Sequence, residues 1–127
     1  MWISIQTRRM SLGTKLRRKI EKHVARVFER QRANIASVVL YLSPGELTDT
    51  GLSFYCRIVL WSPVLGQVAI TRLAPSVRQA VRQATQQARQ GVRRRLARRQ
   101  ALRRRRNGNR LYGVFTSFET PRDGTLT

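Results

Sequence analysis

Apolar and polar side chains alternate from Ile3 to Thr7, the two-residue period of a short strand. The period then lengthens. Leu16, Ile20, Val24, Val27 and Phe28 recur at helical spacing, which predicts a helix over Lys15 to Arg32 with one apolar face. Ile35–Leu42 is apolar and β-branched, and Ser43-Pro44-Gly45 supplies turn chemistry to end it. Alternation is clearest in Leu52–Trp61. Leu52, Phe54, Cys56, Ile58 and Leu60 are expected to face one way, and Ser53, Tyr55, Arg57, Val59 and Trp61 the other. Ser62-Pro63 interrupts this strand, and Gln67–Arg72 forms another after Gly66. Pro75 suits the first turn of a second helix, whose buried stripe reads Val77, Ala80, Val81, Ala84, Ala88 and Val92. Arg95 and Arg99 then fall on the formerly apolar face. The helix is therefore expected to leave the core and run on as a basic rod to about Arg106, where Asn107-Gly108-Asn109 stops it.

The order β-α-β-β-β-α implies an α+β domain over residues 1–106, a four-stranded sheet with both helices on one face. Residues 107–127 read as a flexible C-terminal tail. A length of 127 residues leaves room for one such domain.

Charge sharpens the picture. The chain has 26 Lys and Arg against 6 Asp and Glu, a formal net charge of +20. Residues 1–32 hold ten basic and two acidic groups, residues 33–74 two of each, and residues 75–106 twelve arginines and no acid. The excess thus lies on the N-terminal arm and the two helices. On the helical wheel Lys15, Arg18, Lys19, Lys22 and Arg26 share one flank of the first helix, and Arg78, Arg82, Arg89 and Arg93 form a stripe on the second. A solvated surface helix normally intersperses acids with its bases. An arginine stripe without them points to a polyanion, and the planar guanidinium fork suits phosphate. A membrane surface is disfavoured, because the apolar stripe of the second helix is alanine-rich rather than bulky.

Chemistry-bearing residues are few. His23, the one histidine, falls on the apolar face of the first helix without a second His or a Cys cluster, and reads as a packed side chain. Cys56, the one cysteine, faces inward and can form no internal disulfide. Glu46 and Asp49 sit in a turn-rich loop as solvated residues. No catalytic constellation, metal-ligand spacing or phosphate-cradling glycine loop is present in the sequence, so neither catalysis nor a cofactor is expected. Met1-Trp2-Ile3-Ser4 lacks the pattern of a signal peptide, and the longest apolar stretches are too short to span a bilayer. Trp2, Tyr55 and Trp61 are expected on the sheet face away from the helices. The element order is not the βαββαβ of RRM domains, so these aromatics read as partial cover for an open sheet or as a secondary contact.

The opening Met1-Trp-Ile-Ser-Ile-Gln-Thr-Arg-Arg-Met10, with Leu12 and Thr14-Lys-Leu-Arg-Arg-Lys-Ile-Glu-Lys-His-Val24, resembles that of the hibernation-promoting factor and protein Y family of ribosome-associated inhibitors. Ala88-Arg89-Gln90 in the late helix agrees. The resemblance covers residues 1 to about 100. It implies a fold similar to double-stranded-RNA-binding domains, and a monomeric cytoplasmic protein that binds small-subunit rRNA near the decoding centre. Such a protein blocks the mRNA and tRNA channel in idle ribosomes under stress. Its contacts would fall on Lys22, Arg26, Arg82, Arg89 and Arg93. The chain departs from the family where Pro75-Ser76-Val77 replaces an acidic residue followed by an aromatic, where Gln86 occupies a commonly basic position, and in having no acid on the second helix. The competing expectation is a general structured-RNA binder, an RNA chaperone or ribosome assembly factor.

Overall fold

The computed structural model describes residues 1–47, 49 and 51–112, with side chains to residue 105. Its order is β1 (Trp2–Thr7), α1 (Thr14–Val27), β2 (Ser37–Pro44), β3 (Phe54–Ser62), β4 (Gly66–Ala74) and α2 (Val77–Tyr112). The strands form one mixed sheet in the order β1-β2-β3-β4, with β1 and β2 parallel and the other pairs antiparallel. A parallel neighbour needs a crossover rather than a hairpin, and α1 is that crossover. The expected β-α-β-β-β-α order and α+β class hold.

Inward strand positions form the floor of the core. Ile5, Val38, Leu40, Leu42, Cys56, Ile58, Leu60 and Val68 are buried, each two residues from the next along its strand. Ile20 and Val24 cover this floor from α1, Phe28 from the residue that follows it, and Ala80, Val81, Ala84, Ala88 and Val92 from α2. The alanine stripe brings α2 close to the sheet: a Cβ added at Gly91 would lie 3.5 Å from Val68 Cγ1. Arg17 Nη1 donates to the Ile5 carbonyl at 2.8 Å, tying α1 to β1.

Several predicted boundaries are corrected. The first helix ends at Val27 instead of Arg32, and a 3-10 turn over Glu29–Asn34 follows. Phe28, wholly buried, leaves the helical path with φ −100° and ψ 14°, and the chain tightens so that it can return to the sheet at Ser37. Ser43 and Pro44 lie within β2, because Pro44 pairs with Phe54 at the strand end, where a missing N–H costs least. Leu52 lies outside β3 and is 64% exposed, so the inward alternation begins only after it. Pro75 precedes α2 rather than entering its first turn. Ser76 is the N-cap, its hydroxyl accepting from the Gln79 N–H at 3.2 Å.

At the β3–β4 hairpin the Val64 and Leu65 N–H groups donate to Ser62 Oγ, and Gly66 closes the turn at φ +82°. Gly45 sits where a Cβ would collide with Ser53 Oγ, which itself donates to the Glu46 carbonyl at 3.0 Å.

The described chain divides into two compact units, Met1–Arg93 and a second from Arg94 onward. The buried stripe of α2 ends at Val92, as the arrival of arginine on that face predicts. The helix itself runs to Tyr112, through Asn107-Gly108-Asn109. A glycine in a helix costs only about 1 kcal/mol, and the arginines on either side are good helix formers. The expected tail thus begins as helix. Its remainder, residues 113–127, lies outside the described residues.

Leu40→Ala, at a side chain with no exposure, is expected to destabilise the protein by about 2–5 kcal/mol. Leu52→Ala is expected to stay within about 0.5 kcal/mol. Urea denaturation of the two variants measures the contrast. Equal losses would mean that Leu52 belongs to the core.

Candidate nucleic-acid interface

The two helices lie side by side, and their touching point is polar. His23 Nε2 is 3.1 Å from Thr85 Oγ1. The Thr85 hydroxyl already directs its proton to the carbonyls of Val81 at 2.8 Å and Arg82 at 3.0 Å. It is therefore the acceptor, and His23 donates through a protonated Nε2. Burial, then the positive charges of Arg82 and Arg26, hold the imidazole below its ordinary 6.5. The neutral tautomer with hydrogen on Nε2 follows. The expectation of a packed histidine holds, with a partner the sequence reading omitted. Thr85 is fully buried, and it could have been found: Val81, Thr85, Ala88 and Val92 share one helical phase.

Above this contact the two basic flanks converge. Lys19 of α1 and Arg78 and Arg82 of α2 line one cleft of about 190 Å³, together with Leu16, Ile20, His23 and Val81. Leu16, Ile20 and Val81 give the cleft an apolar lining, and Lys19, Arg78 and Arg82 are exposed. Lys15, Arg18, Lys22 and Arg26 are exposed on α1, as is Arg93 on α2, while Arg89 is half-buried. Of the nine residues expected to bind RNA, the structure brings Lys19, Arg78 and Arg82 to one cleft and places Arg26 and Arg82 where both act on His23.

Nothing nearby neutralises this charge from within α2, which contains no acid. The first turns of both helices also lack an acidic residue, so each helix dipole adds its positive end uncompensated. Arginines keep their charge at any physiological pH, which makes the face permanently cationic. Elsewhere, burial pushes the Cys56 thiol up to about 12, so it is a protonated core side chain at neutral pH. Among the described residues no three His, Cys, Asp or Glu side chains gather in a metal-binding group, and no helix is long and apolar enough to cross a membrane.

No family model and no curated protein sequence matches the chain. Solved structures do. A ribosomal subunit interface protein from Coxiella burnetii superposes with a TM-score of 0.66 at 13% identity, over 76% of this chain and 99% of that one. The N-terminal domain of Protein Y from Thermus thermophilus superposes with a TM-score of 0.59 at 21% identity, over 74% of this chain and 98% of that one. At such identities the likeness establishes architecture: the chain has the fold of these two proteins.

Proposed function

We propose that this protein is a non-enzymatic ribosome-binding factor. It occupies the small subunit near the decoding centre and silences translation by blocking the mRNA and tRNA channel. The observation that carries this reading is the cleft where Lys19, Arg78 and Arg82 converge from two helices, on a face with no acid on α2. Two rigid helices offer cations at fixed spacing, which suits the phosphates of folded RNA better than a mobile basic tail would. The names of the two fold neighbours, a ribosomal subunit interface protein and Protein Y, support the choice of the ribosome as target. The mode of action is occlusion, with one protein per ribosome and no bond made or broken. In the cell it would be cytoplasmic and ribosome-associated, with Lys15, Arg18, Lys22, Arg26, Arg89 and Arg93 widening the contact around the cleft.

Replacing Arg82, Arg89 and Arg93 with Glu is expected to abolish co-sedimentation with small subunits. On structured RNA the log–log salt slope should shrink by about 0.7–0.9 per lost phosphate contact. The matched control reverses Arg30, Arg32 and Arg72, which are exposed and outside both stripes. The control should keep ribosome binding. If it loses binding as fully as the triple variant, net charge rather than the helix face governs the interaction. Equal affinity for small subunits and for unrelated structured RNA would favour a general RNA chaperone.

His23 provides an internal reporter. Phosphates placed against Arg82 and Arg26 neutralise two of the influences that depress its pKa, so binding should raise that pKa. By linkage, affinity should then increase as the pH falls below the ordinary imidazole value of 6.5. A proton NMR titration of the single imidazole, with and without duplex RNA, reads the shift directly. An unmoved His23 would place the RNA elsewhere on the molecule.

A further inference from the structure

The second face of the sheet has no helix over it within Met1–Arg93, and its aromatic side chains are arranged in register. Trp2 pairs with Ser37 across the parallel β1–β2 ladder, and Ser37 pairs with Trp61 across the antiparallel β2–β3 ladder. Directly paired residues share a sheet face, so the two indoles stand in one row with only a serine between them. They are 66% and 50% exposed. Two strand spacings put their Cα atoms about 10 Å apart. A planar ring sandwiched between two others at van der Waals contact needs about 7 Å from first ring to last. The gap over Ser37 is therefore wide enough for one flat ring and too narrow for a second layer.

The opposite end of the same face is cationic. Arg8, Tyr41, Tyr55 and Arg57 line a hollow of about 610 Å³. Arg8 is held there by its N–H, which donates to the Leu42 carbonyl at 2.9 Å and extends the β1–β2 ladder by one step. Between the two ends runs a low row of Ser4, Val39, Val59 and Ala69, level across all four strands. No outward position on any of the four strands is acidic. From Trp61 to Tyr55 along β3 is about 20 Å.

We propose that this face is a second nucleic-acid surface, which binds single-stranded RNA. One base is taken between the Trp2 and Trp61 indoles, and the phosphodiester backbone continues over the low row to Arg8 and Arg57. A duplex does not fit this role, because its bases are already stacked on one another and cannot enter a slot between two rings. A second copy of the chain is opposed by the charge of +20 that each would carry. Stacking asks for a π-face rather than a particular base, so sequence preference is weak. The site is separate from the cleft between the helices and is tested separately.

The chain contains two tryptophans, both of them in the slot. Intrinsic tryptophan emission therefore reports on this site and no other. Titrating the intact protein with a single-stranded oligouridylate of about ten nucleotides should quench that emission saturably. A duplex of similar length should bind with little quenching. The double variant Trp2→Ala/Trp61→Ala should weaken binding of labelled oligouridylate at least about tenfold, with duplex affinity unchanged. The Arg82, Arg89 and Arg93 charge-reversal variant should retain quenching, which keeps failure of the ribosome reading distinct from failure of this one. The proposal is overturned if oligouridylate leaves the emission of the intact protein unchanged, or if the double tryptophan variant binds it as tightly. Equal quenching by polyglutamate would assign the face to an acidic peptide. A concentration-dependent dimer that disappears in the tryptophan variant would assign it to a second copy.

Discussion

Everything on the helix face depends on burying a narrow apolar stripe of α2 against the sheet while its flanks stay charged. Ala80, Ala84 and Ala88 contribute little apolar area each, but their small size lets the helix sit near β4 and beside α1. A wider stripe of Leu and Phe would bury more, and would also lift the helix and take up the flanks where Arg78, Arg82 and Arg89 stand. The core is therefore built mostly from the strands and from α1, with Phe28, Leu40, Leu42, Ile58 and Leu60 as its bulk. The second helix is shaped to be carried by that core more than to supply it.

Bringing like charges together opposes folding, and the molecule contains this cost by the way it arranges them. The cationic heads stand in water at the rim of the cleft, where screening is strong. The one titratable group beneath them, His23, is kept neutral by burial and by those same cations. It still satisfies Thr85 with an N–H, so the interface between the helices has no unpaired imidazole donor and no added charge. A protonated histidine here would add to the repulsion between α1 and α2 unless an anion lay above it. The cleft is thus complete as a fold and electrostatically unbalanced as a surface, the condition that a polyanionic partner relieves.

The two faces of the sheet follow from one alternation and differ in chemistry. Inward positions are mostly aliphatic, and their central members are closed over by helices. Outward positions mix aromatic, small and cationic residues and stay open within Met1–Arg93. An indole turns about two side-chain torsions only, so it has few rotamers to lose on binding. The helix face has almost no aromatic character and concentrates fixed charge instead. One face presents fixed positive charge, and the other presents flat aromatic surface.

Much of this was legible in the sequence, because its signals are local. Strand parity comes from a two-residue period, so Cys56, Ile58 and Leu60 could be placed inward and Tyr55, Arg57 and Trp61 outward without a partner strand. The acid-free arginine run and its stripe likewise need only helical geometry, and the end of burial at Val92 is marked by Arg95 arriving on the apolar face. Other features needed the tertiary structure, because they depend on residues far apart in the chain. The first helix stops at Val27 because Phe28 must plug the core and the chain must return to pair with β1, which no local propensity encodes. Lys19 meets Arg78 and Arg82 only because both helices cross the same sheet, and Thr85 acquires a role only when His23, sixty-two residues earlier, lies against it. Trp2 and Trp61 become neighbours through two successive pairings, one parallel and one antiparallel. Within the regular strands and helices the sequence alone determined which face most side chains occupy; the register between strands and the packing between helices decided which side chains share a site, since those distances are set by long-range contacts that a one-dimensional period cannot carry.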